Sequence, residues 1–292
     1  MNTTTNQLRL PDGRALGYAE YGDPTGTPVL AFHGTLSSRL DIDFAADAAI
    51  RHNIRIISID RPGMGLSDYQ PRRHLTDWPA DVHNLAEHLQ IDTFAVYAWS
   101  AGAQYAFACA HTLRNRVTAI AAVGAPKPYN RRRDRKGIPT IDLAIMFAAS
   151  HTKPILRTVI TKTIIRAGDD AIFNLVTDGA PPADIAYMNT IGRAKVAELA
   201  REAVRQGPNG AVTDFELLRA PWGFDLTTIT TPVDLWHGTD DHSGPPDEQH
   251  VLANALPNAT IHTLPGAGHV SAGPDHIDHI FHTLLTRTGH HR

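Results

Sequence analysis

Six short runs of apolar, largely β-branched residues constrain the fold of this chain more than any other feature. They are Val29–Phe32, Ile54–Ile59, Phe94–Tyr97, Val117–Val123, Val233–Trp236 and Thr260–Leu264. None shows the polar alternation of a half-exposed strand, so each reads as a strand covered on both faces. Helix-like segments lie between them: Ile42–His52, Ala80–Leu89, Ala101–His111, Asp247–Leu256 and Asp275–Leu285. Within the second, Val82, Leu85, Ala86 and Leu89 recur at i, i+3, i+4 and i+7, which makes one apolar helical stripe. Strand and helix in alternation imply an α/β protein with a doubly wound, mostly parallel sheet. The opening segment differs. Gln7–Leu10, a Pro11-Asp12-Gly13 turn and Arg14–Tyr21 read as an antiparallel hairpin at one sheet edge.

The alternation stops between Pro126 and Trp222. Apolar patterns there, such as Ile141–Ala149, Ile155–Ile165 and Ile185–Leu199, have helical spacing. A structureless loop of that length is improbable in a compact protein, so the stretch reads as an inserted helical cap. The expected organisation is a core formed by residues 1–125 and 223–292, with a cap at 126–222.

Composition removes several classes of function. Lys plus Arg number 27 and Asp plus Glu 30, a net charge of −3 that offers no electrostatic footprint for nucleic acid. The single cysteine excludes an internal disulfide and a Cys2His2 zinc module. The first seven residues lack the basic and apolar regions of a secretory signal, and the longest charge-free stretch, Thr93–Ala110, is broken by Ser100, Gly102 and Gln104. These features lead to the expectation of a cytoplasmic protein that engages neither membrane nor nucleic acid and acts on a small molecule.

The chemistry concentrates where the strands end. Phe94-Ala-Val-Tyr-Ala98-Trp99-Ser100-Ala101-Gly102 reads as strand, sharp turn and helix with a serine at the apex. A strained turn of this kind needs small residues two before and two after the serine, because it presses the helix start against the next strand. Ala98 and Gly102 supply them, although an ordinary helix-capping serine would read the same way. Other strands run into His33-Gly34-Thr35, into Asp60-Arg61-Pro62-Gly63-Met64-Gly65-Leu66-Ser67, into His237-Gly238-Thr239-Asp240-Asp241 and into Gly266-Ala267-Gly268-His269. In a doubly wound sheet all of these loops lie at the carboxyl ends of strands, where such folds place their sites. The order of serine, acid and histidine is that of the α/β-hydrolase triad.

On these residues the chain resembles a capped serine hydrolase of the α/β-hydrolase superfamily, in its esterase, lactonase and aminopeptidase-like branch. The resemblance covers the sheet-forming two-thirds of the chain. It implies Ser100 as nucleophile, His269 as general base and Asp241, three residues after Gly238, as the acid that orients it; adjacent Asp240 is the competitor. It implies an oxyanion hole from the backbone N–H groups of Thr35 and Ala101. Two positions depart from the family pattern: Ala98 stands where glycine is usual, and Leu36 where Pro or Gly is common.

The remaining candidates have plainer readings. Leu36, Trp99, Phe147 and Trp222 are candidate substrate contacts, though aromatic side chains at helical spacing are commonly core. Cap residues Met146, Phe173, Tyr187 and Met188 fit either a lid or the cap's own interior. His33 reads as a loop anchor and Asp60 as a turn residue or a local partner of Arg61. His276, His279 and His282 read as a solvated terminal helix rather than a metal site. The basic run Arg131–Lys136 reads as a solvated hinge.

The expected activity is hydrolysis of a carboxylic ester or lactone of a small to medium apolar substrate through an acyl-enzyme, without metal or organic cofactor. Two alternatives stay open. One keeps the triad and changes the bond, as in a peptidase of the proline iminopeptidase kind or a carbon–carbon hydrolase. The other is a non-hydrolytic cyclase or a ligand-binding protein on the same fold. Dehalogenase and epoxide-hydrolase chemistry is disfavoured, because both use Asp where Ser100 stands. Oligomeric state is not legible.

Overall fold

The computed structural model describes residues 4–129, 140–243 and 247–289. Eight strands form one sheet: β1 (Thr4–Arg9), β2 (Ala15–Gly22), β3 (Thr27–Phe32), β4 (Ile54–Ile59), β5 (Phe94–Trp99), β6 (Val117–Val123), β7 (Val233–Gly238) and β8 (Ala259–Leu264). Their spatial order is β1-β2-β4-β3-β5-β6-β7-β8. The β1–β2 hairpin is antiparallel and β2 joins β4 antiparallel, while every pairing from β4 to β8 is parallel. The reversal of chain order on either side of β3 makes the crevice beyond the ends of β3 and β5 a topological switch point, where α/β sheets bind ligands.

The central strands are apolar throughout because each supplies both faces. Leu30, Phe32, Val96, Ala98, Ile120 and Leu235 point into one core beneath α2 (Trp78–His88), α3 (Gly102–Leu113) and α10 (Asp247–Ala255). Their neighbours Val29, Ala31, Ala95, Tyr97, Ala121 and Trp236 point into the other, beneath α1 (Ala46–Arg51) and α11 (Ala272–Arg287). β8 departs from the two-faced expectation. It closes the sheet as an edge strand, and only Leu264 within it is fully buried.

Between β6 and β7 the described chain is helical: α4 (Thr140–His151), α5 (Lys153–Ile160), α6 (Asp169–Thr177), α7 (Pro182–Ile191), α8 (Arg193–Ala203) and α9 (Asn209–Arg219). One turn of π-helix follows α5 at Thr161–Ile165. These helices pack two small cores, one in which Leu156, Ile160 and Val212 meet Met64 of the loop after β4 and another around Phe173, Met188 and Val196. The basic run Arg131–Lys136 lies outside the described residues. None of the described helices is long and apolar enough to cross a membrane.

Candidate active site

Ser100 follows the last residue of β5 and adopts φ +53°, a left-handed conformation costly for any residue with a Cβ. Its N–H donates to Val123 O at 2.8 Å and its carbonyl accepts from Ala103 N–H at 3.0 Å, so the turn is tied to β6 and to the start of α3. Gly102 makes the turn sterically possible, since a Cβ there would stand 2.2 Å from the carbonyl oxygen of Phe32. Ala98 is fully buried and its methyl is accommodated in the core.

Three side chains distant in sequence converge at this apex. The Ser100 hydroxyl lies 3.0 Å from His269 Nε2, and His269 Nδ1 lies 2.8 Å from Asp241 Oδ2. Asp241 is buried, and its second oxygen accepts the N–H of Ser243 at 2.8 Å. With a carboxylate as its partner, Nδ1 carries the proton and Nε2 is left to accept from the hydroxyl. Asp240 faces solvent beside the Thr239 hydroxyl and takes no part. Trp99 supports the histidine, donating its indole N–H to His269 O at 3.0 Å with the two rings 5.6 Å apart.

The loop after β3 faces this group. Leu36, at the position departing from the family pattern, takes φ +53°. Among the described residues, the N–H groups of Thr35 and Ala101 have no acceptor within the chain. The loop is braced from below by Arg61, which is wholly buried and donates to the carbonyls of both His33 and Gly34. Arg61 pairs with Asp214 of α9 at 2.5 Å, and Arg73 and the Tyr105 hydroxyl reach the other oxygen of the same carboxylate. Burial alone would raise the Asp214 pKa, but the two guanidinium groups hold it well below the usual carboxylate range. His33 is indeed an anchor: burial pushes its imidazole well below its ordinary pKa, so the neutral ring accepts from Arg61 N–H and donates to Gly34 O. Of the two roles expected of Asp60, the structure shows the turn role and not the pairing with Arg61. Its ionic partner is Arg39 at 2.9 Å rather than adjacent Arg61, and it also accepts the N–H of Leu66.

A cavity of about 460 Å³ lies under helices of the segment between β6 and β7. Its wall includes Leu36, Trp99 and Val270, which flank Thr35, Ser100 and His269 in sequence, together with Tyr187, Met188 and Ile191 of α7. Its polar groups include Asp41, Asp43 and Lys195, the last two paired at 3.1 Å. Burial raises the Asp41 carboxyl pKa to about 6.

Two predicted contacts are absent from this wall. Phe147 sits on the outer side of α4, 54% exposed and stacked on His151. Trp222 is buried against Phe107 and Phe224 in the core beside α3. Aromatic character does not tell which way a helix or a returning loop turns its side chains. Cap acids Asp169 and Asp170 pair with Arg201 and Arg193 at the surface. Among the described residues, no cluster of three or more His, Cys, Asp or Glu side chains could hold a metal ion.

Comparison with known proteins agrees with this architecture. A non-heme chloroperoxidase of Streptomyces lividans is 28% identical over 268 residues, 88% of this chain and 90% of that one. A serine hydrolase-like protein of Dictyostelium discoideum is 37% identical over 95 residues, which span 32% of this chain but only 26% of the relative. An esterase from Exiguobacterium antarcticum superposes with a TM-score of 0.70 at 16% identity, over 98% of this chain and all of the esterase, a likeness of fold alone. The family model for the α/β-hydrolase fold matches residues 27–273, and the chain belongs to that family.

Proposed function

We propose that this α/β hydrolase cleaves a carboxylic ester or lactone of small to medium, mainly apolar substrates through a Ser100 acyl-enzyme. The observation that carries the reading is the hydrogen-bonded series from Ser100 Oγ through the His269 imidazole to Asp241, beside a largely apolar cavity. A serine hydroxyl is a weak nucleophile at neutral pH and needs a base within hydrogen-bond reach. As Ser100 Oγ attacks the carbonyl carbon, His269 Nε2 takes the hydroxyl proton, and Asp241 holds the imidazole in the required tautomer and stabilises its charged form. The oxyanion is received by the N–H groups of Ala101 and Thr35; loss of one such donor costs about 10²–10³ in rate. His269 returns the proton to the leaving oxygen. Water then attacks the acyl carbon, gives its proton to Nε2, and the acid departs as Ser100 regains its hydrogen.

Turnover of short-chain p-nitrophenyl esters by the wild type and by Ser100→Ala tests this reading. Loss of turnover in the variant is expected, and equal rates would overturn it.

One observation favours a second substrate type. Asp41 stands on the cavity wall, where a protonated amine would find a counter-charge, as the peptidase alternative requires, while Asp43 is already paired with Lys195. Comparing a substrate bearing a free α-amine with its acylated analogue separates the two; a strong preference for the free amine would replace the ester reading.

A further inference from the structure

The loop that carries His269 is held from the opposite side of the cavity. Asp184, in the first turn of α7, is buried with 2% exposure although it is an acid on a helix of the insertion. Its Oδ2 accepts the backbone N–H of His269 at 3.0 Å. Its Oδ1 accepts the N–H groups of Val270 at 3.1 Å and Ser271 at 2.8 Å, and the Ser271 hydroxyl at 2.8 Å. Four donors from three consecutive residues thus converge on one carboxylate at the N-terminal end of α11, where negative charge is favoured by the helix dipole. The Ser271 hydroxyl oxygen also accepts the N–H of Gly268 at 2.9 Å. Gly268 leaves the space the carboxylate occupies, since a Cβ there would stand 2.3 Å from Asp184 Oδ1.

The spacing along α7 gives this bond a consequence. Tyr187, Met188 and Ile191 lie three, four and seven residues beyond Asp184 and therefore share its helix face. Those three residues line the cavity. A molecule seated there presses on the same face that grips the backbone of His269, and charge-assisted bonds to that backbone transmit the helix position to the imidazole.

We propose that Asp184 is a positioning residue for His269, tying the general base to the helix face that meets the substrate. This rests on the reading of Ser100, His269 and Asp241 as one catalytic unit.

Asp184→Asn is the test, because it keeps the shape while turning one acceptor into a donor aimed at an N–H. The side-chain oxygen can stay with Ser271 and Val270, so the bond to His269 is the one lost. With short-chain p-nitrophenyl esters, kcat per folded molecule is expected to fall by about a hundredfold while KM stays within about threefold. The imidazole Cε1–H resonance of His269, assigned by its loss in His269→Gln, is expected to shift in the Asn variant. A purely structural role would lower the melting temperature and leave both unchanged in the folded fraction, which would overturn the proposal. Should Asp184→Asn not fold, Ser271→Ala removes one donor to the carboxylate. A severalfold fall in kcat is then expected, and an unchanged kcat would be equally fatal. If the wild type and Ser100→Ala hydrolyse esters at equal rates, the reading of Ser100 fails. The His269 resonance in Asp184→Asn still decides the role of Asp184.

Discussion

Gly124 lies flush against the ring of His269: a Cβ added there would stand 3.0 Å from both Cε1 and Nδ1 of the imidazole and 3.2 Å from Asp241 Oδ2. Gly124 follows β6 with φ +59° and donates its N–H to Trp236 O at 2.9 Å, which ties its backbone to β7. Gly124→Ala therefore meets two costs. The left-handed conformation costs about 1 kcal/mol for a residue with a Cβ, and the ring must move by a few tenths of an ångström. With His269 as the proposed general base, displacing the ring costs rate rather than affinity, so kcat on p-nitrophenyl esters is expected to fall by roughly tenfold or more with KM little changed. Steady-state kinetics on the folded variant check this.

Asp214 of α9 is a second point at which the helices between β6 and β7 brace the loop beside Ser100. It is fully buried between Arg61 and Arg73, and Arg61 in turn grips the carbonyls of His33 and Gly34. Asp214→Ala leaves two guanidinium groups buried without their counter-charge, at a cost of about 3–5 kcal/mol. The sign with pH follows from the depressed pKa. A carboxylate whose folded pKa lies below its unfolded value contributes fully above the unfolded value and loses that contribution as pH falls toward the folded one. The stability gap between wild type and variant is expected to be widest above about pH 4 and to narrow on acidification below it. Denaturant unfolding across pH measures it; a gap that widens in acid would contradict the charge assignment.

Why some of this was legible and some not comes down to the range over which each signal acts. Strands β3 to β7 are covered on both faces, and a buried strand writes itself as an unbroken apolar run; β8, at the sheet edge, has a looser pattern. Ser100, Asp241 and His269 could be found because each stands in a turn whose small neighbours, such as Gly102, Gly238 and Gly268, are adjacent in the chain. Asp184 and Asp214 could not. Each is an acid within a helix, and its partners lie 85 or more positions away. Nothing within a helical window separates a buried acid with distant donors from a solvated one. The same limit hides the directions of the Phe147 and Trp222 side chains and the pairing of Asp60 with Arg39. Gly124 was legible in principle, as a glycine closing an apolar strand.

Asp41 couples the cavity to stability. Burial raises its pKa to about 6 in the folded chain, against about 4 when unfolded. The folded state then binds more protons than the unfolded one between those values, so stability falls as pH rises from about 4 to 6 and stays lower above. Asp41→Asn cannot ionise. Relative to the wild type, it is expected to gain stability progressively over that interval, reaching about 2 kcal/mol by pH 7. Urea unfolding at pH 4 and pH 7 measures the gain; an equal difference at both would show that Asp41 ionises as freely folded as unfolded.

Ser100 holds its φ of +53° because Val123 O, the α3 start and the packed Gly102 leave the turn no other path. A residue with a Cβ is strained there and glycine is not, so the position trades stability for a presented hydroxyl. Two variants that the proposed mechanism renders inactive separate strain from chemistry. Ser100→Ala removes the hydroxyl and keeps the Cβ, whereas Ser100→Gly removes both. Glycine loses more chain entropy on folding, which offsets part of the relief, and the net expectation is a Gly variant about 0.5–1 kcal/mol more stable than the Ala variant. Thermal unfolding of the pair, with ester turnover abolished in both, measures that difference. A Gly variant no more stable than the Ala variant would mean that the turn stores no strain at Ser100.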